Sequence, residues 1–218
     1  MAPWALLLGA VAATGALDWL HGEWVRPLFG PVAPVPAVAV LVALGGTAVR
    51  RMEALGWLEV LPGARFSEAA AACGVFPSLF AVVVILVDAR FGIPLWLTVP
   101  PPWSLLFYPV MGVAAEIAFH LLPLSALLLA LGRRAAGRPS VFWGCAVPIA
   151  LLEPLFQVAP DLADGSLSAI GVYTAVQVWA FGVAQFAVLR RYGLLSMYSF
   201  RVVYYLEWHV LWGALRAG

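Results

Sequence analysis

Apolar stretches of about twenty residues, the length of helix that crosses a hydrocarbon core about 30 Å thick, follow one another along almost all of this chain. They run over 3–20, 31–49, 69–88, 104–131, 139–158, 168–189 and 195–215. Between them stand helix breakers or headgroup-level residues: Pro27 to Pro31, Pro62-Gly63, Pro100-Pro101-Pro102, Gly137 to Pro139, Pro160 and Gly193. The pattern predicts an all-α, polytopic transmembrane bundle of about seven spans. Composition agrees, since 64% of the 218 residues are hydrophobic and 11% charged, with a mean hydropathy of +0.97, outside the range of soluble domains. Trp4, Trp19, Trp24, Trp96, Trp103, Trp143 and Trp212 fall near span ends, where an amphipathic indole prefers the interface. No internal repeat or low-complexity tail divides the chain, so 1–218 reads as one membrane domain.

Arginine supplies every strongly basic side chain and lysine is absent, which excludes a retinal-type Schiff base. The loops after the second, fourth and sixth spans carry Arg50, Arg51 and Arg65, then Arg133, Arg134 and Arg138, then Arg190 and Arg191, whereas the other three loops carry only Arg26 and Arg90. Positively charged loops stay cytoplasmic during insertion, so the expected topology has the N-terminus inside and the C-terminus outside. The first run lacks a preceding basic residue and a small-residue cleavage site, and is expected to be retained. The segment Arg50 to Glu68 mixes charges with Leu55, Trp57, Leu58 and Leu61, and reads either as an amphipathic surface helix or as an ordinary connection. Cys73 and Cys145 lie in apolar runs and are expected to act as small hydrophobes. A net charge of +1 offers nothing to nucleic acid, and the bilayer is the expected partner.

Ionisable side chains at membrane depth cost a few kcal/mol and are functional candidates by default. Glu116 sits mid-span with His120 one turn later on the same face. Glu153 interrupts an apolar run beside Pro154, with Gln157 on its face. His209 is deep in the last span, two turns after Arg201. These groups are expected to converge on one pocket, because each is otherwise an uncompensated polar group in hydrocarbon. Mutual pinning of three helices is the competing reading, yet such contacts average only about 0.6 kcal/mol. Asp18, His21 and Glu23 read as a solvated interfacial loop, Asp88 and Arg90 as a pair at a helix end, and Asp161 and Asp164 as a wet loop. His-Glu-x-x-His, Gly-x-Ser-Gly and Gly-x-Gly-Asp are all absent, which removes zinc, rhomboid-type and presenilin-type proteolysis. Three histidines, one of them interfacial, cannot form an all-histidine metal site.

Ala115-Glu116-Ile117-Ala118-Phe119-His120 and His209-Val210-Leu211-Trp212-Gly213 resemble motifs of the CAAX-protease and bacteriocin-processing family of glutamic-type intramembrane endopeptidases. That family carries Glu-Glu-x-x-x-Arg, Phe-x-x-x-His and His-x-x-x-Asn/Asp on successive helices. Here Ala115 replaces the first Glu, His120 the Arg and Gly213 the Asn, while Glu153 to Gln157 falls where the second motif is expected but lacks its His. The resemblance covers Glu116 to Gly213, within a family-like core of 104–215. It implies hydrolysis, in the membrane and without a cofactor, of an amide in a membrane-anchored or membrane-adjacent protein or peptide, in which Glu116 activates water, His209 assists, and His120 or Gln157 supplies the missing donor. It leaves two alternatives. One is an inactive relative serving as a membrane scaffold, and the other is a haem-binding protein using His120 and His209.

Overall fold

The computed structural model of the chain describes residues 2–61, 63–93, 99–132 and 138–217. Pro62, Trp96, Arg133, Arg134 and Gly137, and the side chain of Trp4, lie outside the described residues. The chain is 86% helical without strands among these residues, and it forms seven helical rods. The first three are α1 (Ala2–Phe29), α2 (Pro34–Ala54) and α3 (Phe66–Phe91). The fourth joins α4 (Ser104–Ala115) to α5 (Leu122–Leu131) through a π-helical turn over Glu116–Leu121. The fifth is broken into α6 (Pro139–Ile149) and α7 (Leu152–Ala163), and the sixth is α8 (Ala169–Tyr192). The seventh runs from α9 (Leu194–Tyr205) through a second π-helical turn, Leu206–Trp212, into α10 (Gly213–Ala217). Five stretches are long and apolar enough to cross a membrane: Pro34–Ala54, Gly63–Phe91, Ser104–Leu131, Pro139–Ala163 and Ala169–Tyr192. The outside of the bundle is correspondingly apolar, with Val40, Leu44, Leu79, Val82 and Leu86 all about half exposed or more.

Proline sets two of the three irregularities near the site, the exception being the turn over Leu206–Trp212, which has no proline. Pro123 has no N–H for the Phe119 carbonyl, and its ring would strike that carbonyl in a regular helix. The chain answers with the π turn, where the Leu122 N–H reaches back to Ile117 O. Pro148 and Pro154 bracket the break at Ala150-Leu151, leaving Glu153 in the first turn of α7, where a helix N-terminus favours a carboxylate. One carbonyl left near the break, Val147 O, accepts from Trp179 Nε1 at 3.2 Å.

The arginine-bearing turns meet at one end of the bundle. Arg65 Nη1 donates to Arg191 O at 3.0 Å, Arg191 pairs with Glu68 at 3.3 Å, and Arg190 Nη1 donates to Pro139 O at 3.3 Å. The segment between α2 and α3 is a connection rather than a surface helix: helix ends at Ala54, and the carbonyls of Glu59 and Val60 cap α9 by accepting from Leu194 and Leu195 at 2.9 and 3.0 Å. Gly193 makes this possible, since its φ is +90° and a Cβ there would come within 2.6 Å of Glu59 O.

The opposite end departs from expectation in two places. Residues 21–29 continue α1 as helix after a kink at His21 (φ −145°, ψ 52°), stabilised by an Asp18–Arg26 pair at 2.8 Å and by stacking of His21 on Trp24 at 4.1 Å. Asp88 does not pair with Arg90. It accepts from Trp212 Nε1 at 2.6 Å, Arg216 Nη1 at 2.9 Å and the Ile93 N–H at 2.7 Å, while Arg90 lies over Phe91. Burial of Asp88 explains the exchange, because a buried carboxylate needs several donors and Arg90 points away from it.

Candidate functional site

Arg201, 1% exposed, is the largest fully buried side chain and the hub of the molecule. Its Nε donates to Glu116 Oε1 at 2.6 Å. Nη1 donates to Glu153 Oε1 at 2.8 Å and to the Tyr205 hydroxyl at 2.8 Å. Nη2 donates to Glu153 Oε2 at 2.7 Å and to Gln185 Oε1 at 3.0 Å. A guanidinium has five N–H groups, and all five are used. Gln185 closes the ring by donating from Nε2 to Glu116 Oε1. Four rods are tied to one cation in this way, which is what keeps two carboxylates in an apolar interior.

Behind this ring, His120 Nδ1 lies 3.3 Å from Glu116 Oε2. The approach is off the hydrogen-bond direction, so both atoms, together with His120 Nε2, are buried without a hydrogen bond among the described residues. The imidazole rests against Phe186 at 5.0 Å and against Gly182, where a Cβ would come within 3.2 Å of Nε2.

In front of Arg201 is a cavity of about 460 Å³ lined by Glu153, Gln157, Tyr205, His209 and Arg201 among many apolar and aromatic residues. His209 stacks on Tyr108 with ring centroids 4.4 Å apart and meets the Tyr205 ring at 5.2 Å. Among the described residues its ring nitrogens make no hydrogen bond. The mouth of the cavity is marked by Phe156 and Gln157, which line it and are exposed. α7 packs chiefly on α8, and across the mouth its Phe156 meets Phe119 at 5.2 Å.

The five sequence candidates therefore divide. Glu153, Gln157 and His209 face the cavity; Glu116 and His120 stand on the far side of Arg201 and do not line it, whereas Ala115 does. The paired-histidine arrangement for haem does not form, because His120 faces Gly182 and Phe186 and only His209 faces the cavity. Gln185 is not among the sequence candidates, and Arg201 enters them only as a neighbour of His209. The signal was present in both cases: Gln185 interrupts an apolar run, and two buried carboxylates require a cation, for which Arg201 is the mid-span choice. No three of His, Cys, Asp and Glu gather as a metal site among the described residues. Comparison with protein-family models, with curated proteins and with solved structures finds no match for the chain.

Proposed function

We propose that this chain is an integral membrane endopeptidase that hydrolyses a membrane-anchored or membrane-adjacent peptide at the cavity in front of Arg201. The observation that carries the reading is a carboxylate, Glu153, and an imidazole, His209, brought from two different rods to one cavity in an otherwise apolar bundle. The order of these helices follows the family that the motifs resemble.

The chemistry divides among the residues by what each has free. Both Glu153 oxygens are held by Arg201, and Glu116 is held behind it, so neither carboxylate is the readiest proton acceptor. His209 has an uncommitted ring and takes the proton from a water as that water attacks the peptide carbonyl. Glu153, held through both oxygens, fixes the guanidinium at the wall of the cavity. Glu116 on this reading holds Arg201 in place. With the arginine-rich end cytoplasmic, the N-terminus is inside, and the cavity lies toward the extracytoplasmic side.

The test is cleavage of fluorescently labelled casein by the purified protein in detergent micelles. Wild type is expected to cleave it, and His209→Ala to lose about 10²–10⁴-fold in rate, the usual worth of a positioned base. Equal rates for the two proteins refute the assignment. A second reading, an inactive relative that holds a membrane partner, is favoured by Ala115, which faces the cavity where the family has its first glutamate. No cleavage by wild type, with retained binding of a single-span partner in vesicles, selects that reading.

A further inference from the structure

Hydrolysis of an amide needs a donor for the oxygen that becomes negative, and the family's third-motif Asn is here Gly213. Arg201 cannot serve directly, because all five of its N–H groups already have acceptors. His120 lies behind the ring of charges, away from the cavity. Gln157 is exposed at the mouth, on a rod half that packs mainly against one neighbour.

We propose that the Tyr205 hydroxyl is the oxyanion donor and that Arg201 positions and polarises it. Tyr205 lines the cavity one turn before His209 on the same rod. Its oxygen accepts from Arg201 Nη1 at 2.8 Å, and among the described residues its own O–H has no acceptor. A hydroxyl that accepts from a cation is a stronger donor through its proton, because successive hydrogen bonds polarise one another. The ring is held by neighbours at both edges, Tyr108 at 5.9 Å and His209 at 5.2 Å, and Gly112 leaves room for it where a Cβ would stand 3.4 Å from Cε2.

The inference rests on the hydrolytic reading and completes it. Water oxygen bonds to the carbonyl carbon, the C=O π pair moves onto oxygen beside the Tyr205 O–H, and the water proton passes to His209. Collapse re-forms the C=O and breaks the C–N bond, with the proton on His209 delivered to the leaving nitrogen. The products are a carboxyl and an amine, and no other reactant is consumed.

Tyr205→Phe keeps the ring and removes the hydroxyl, which is both the proposed donor and the acceptor of one Arg201 Nη1 hydrogen. With labelled casein in detergent micelles, kcat is expected to fall about 10²–10³-fold, the worth of one oxyanion donor, with KM and the pH profile unchanged and the melting temperature lowered by the loss of the Arg201 hydrogen bond. A peptidyl trifluoromethyl ketone, which mimics the tetrahedral state, is expected to bind more weakly to the variant by the same factor. Wild-type kcat in Tyr205→Phe, while His209→Ala is inactive, overturns the proposal and leaves the hydrolase reading standing. Absence of cleavage by wild type removes both. If Tyr205→Phe does not fold, 3-fluorotyrosine at this position keeps ring and hydroxyl while strengthening the donor. It is expected to change kcat at constant KM, and an unchanged kcat overturns the proposal.

Discussion

Two π-helical turns, Glu116–Leu121 and Leu206–Trp212, each carry one glutamate and one histidine, yet they do opposite things with them. In the first the two residues are four apart, so they share a face, and both are buried within 3.3 Å of each other behind Arg201. In the second they are two apart and point to different neighbours. Glu207 accepts from Ser78 on α3 at 2.6 Å, and His209 faces the cavity with Tyr108. The same pair of residue types thus makes a closed, charge-holding turn at one spacing and an open, chemically available one at another. Spacing, more than residue identity, decides which turn faces the cavity.

That contrast breaks most severely if its shared anchor is removed. Arg201→Met leaves two buried carboxylates without their cation and is expected to cost about 3–5 kcal/mol, read as loss of monodisperse protein in detergent. Adding Glu116→Gln and Glu153→Gln to Arg201→Met should recover part of it. Next in size is Glu116→Gln, which removes a charge-assisted hydrogen bond worth about 1.5–3 kcal/mol. The melting temperature should drop, while the folded fraction still cleaves. The reverse result, an unchanged melting temperature with cleavage gone, would make Glu116 the working carboxylate and turn the comparison around. His209→Ala is expected to lose cleavage but only about 0.5–1.5 kcal/mol of stability, the worth of its aromatic stacking. Smallest is Glu207→Gln, which should cost about 0.6 kcal/mol, the average intramembrane polar contact, with cleavage unaffected. A large activity loss there would mean that the second turn works as a unit.

Much of the fold is legible in the sequence. The helix breakers marked the rods to within a few residues, except that α1 runs on to Phe29, because a kink at His21 absorbs the change of direction that a loop was expected to make. The arginine-rich loops do share one end. Glu116 and His120 could be paired from their spacing alone, and Glu153 beside Pro154 was visible as a polar group at a weak point in a helix. The partners of these groups were not legible. Gln185 meets Glu116 across 69 residues, Arg201 meets it across 85, and Asp88 meets Arg216 across 128. Periodicity says which face of a helix is polar, but not which neighbouring helix that face meets. The π turns were hidden for a related reason, since a widened turn is a response to proline or packing that leaves no period of its own.

The half-rod α7 has one more consequence. Phe119 and Phe156 meet at 5.2 Å at the mouth of the cavity, and Phe156 is exposed on the outside of the bundle. On the proposed membrane placement, a guest entering past this pair arrives sideways, by diffusion within the leaflet, and sheds no hydration shell on the way. Its rate of arrival then follows its density in the membrane plane, and bilayer thickness and fluidity become rate-setting variables for the protein.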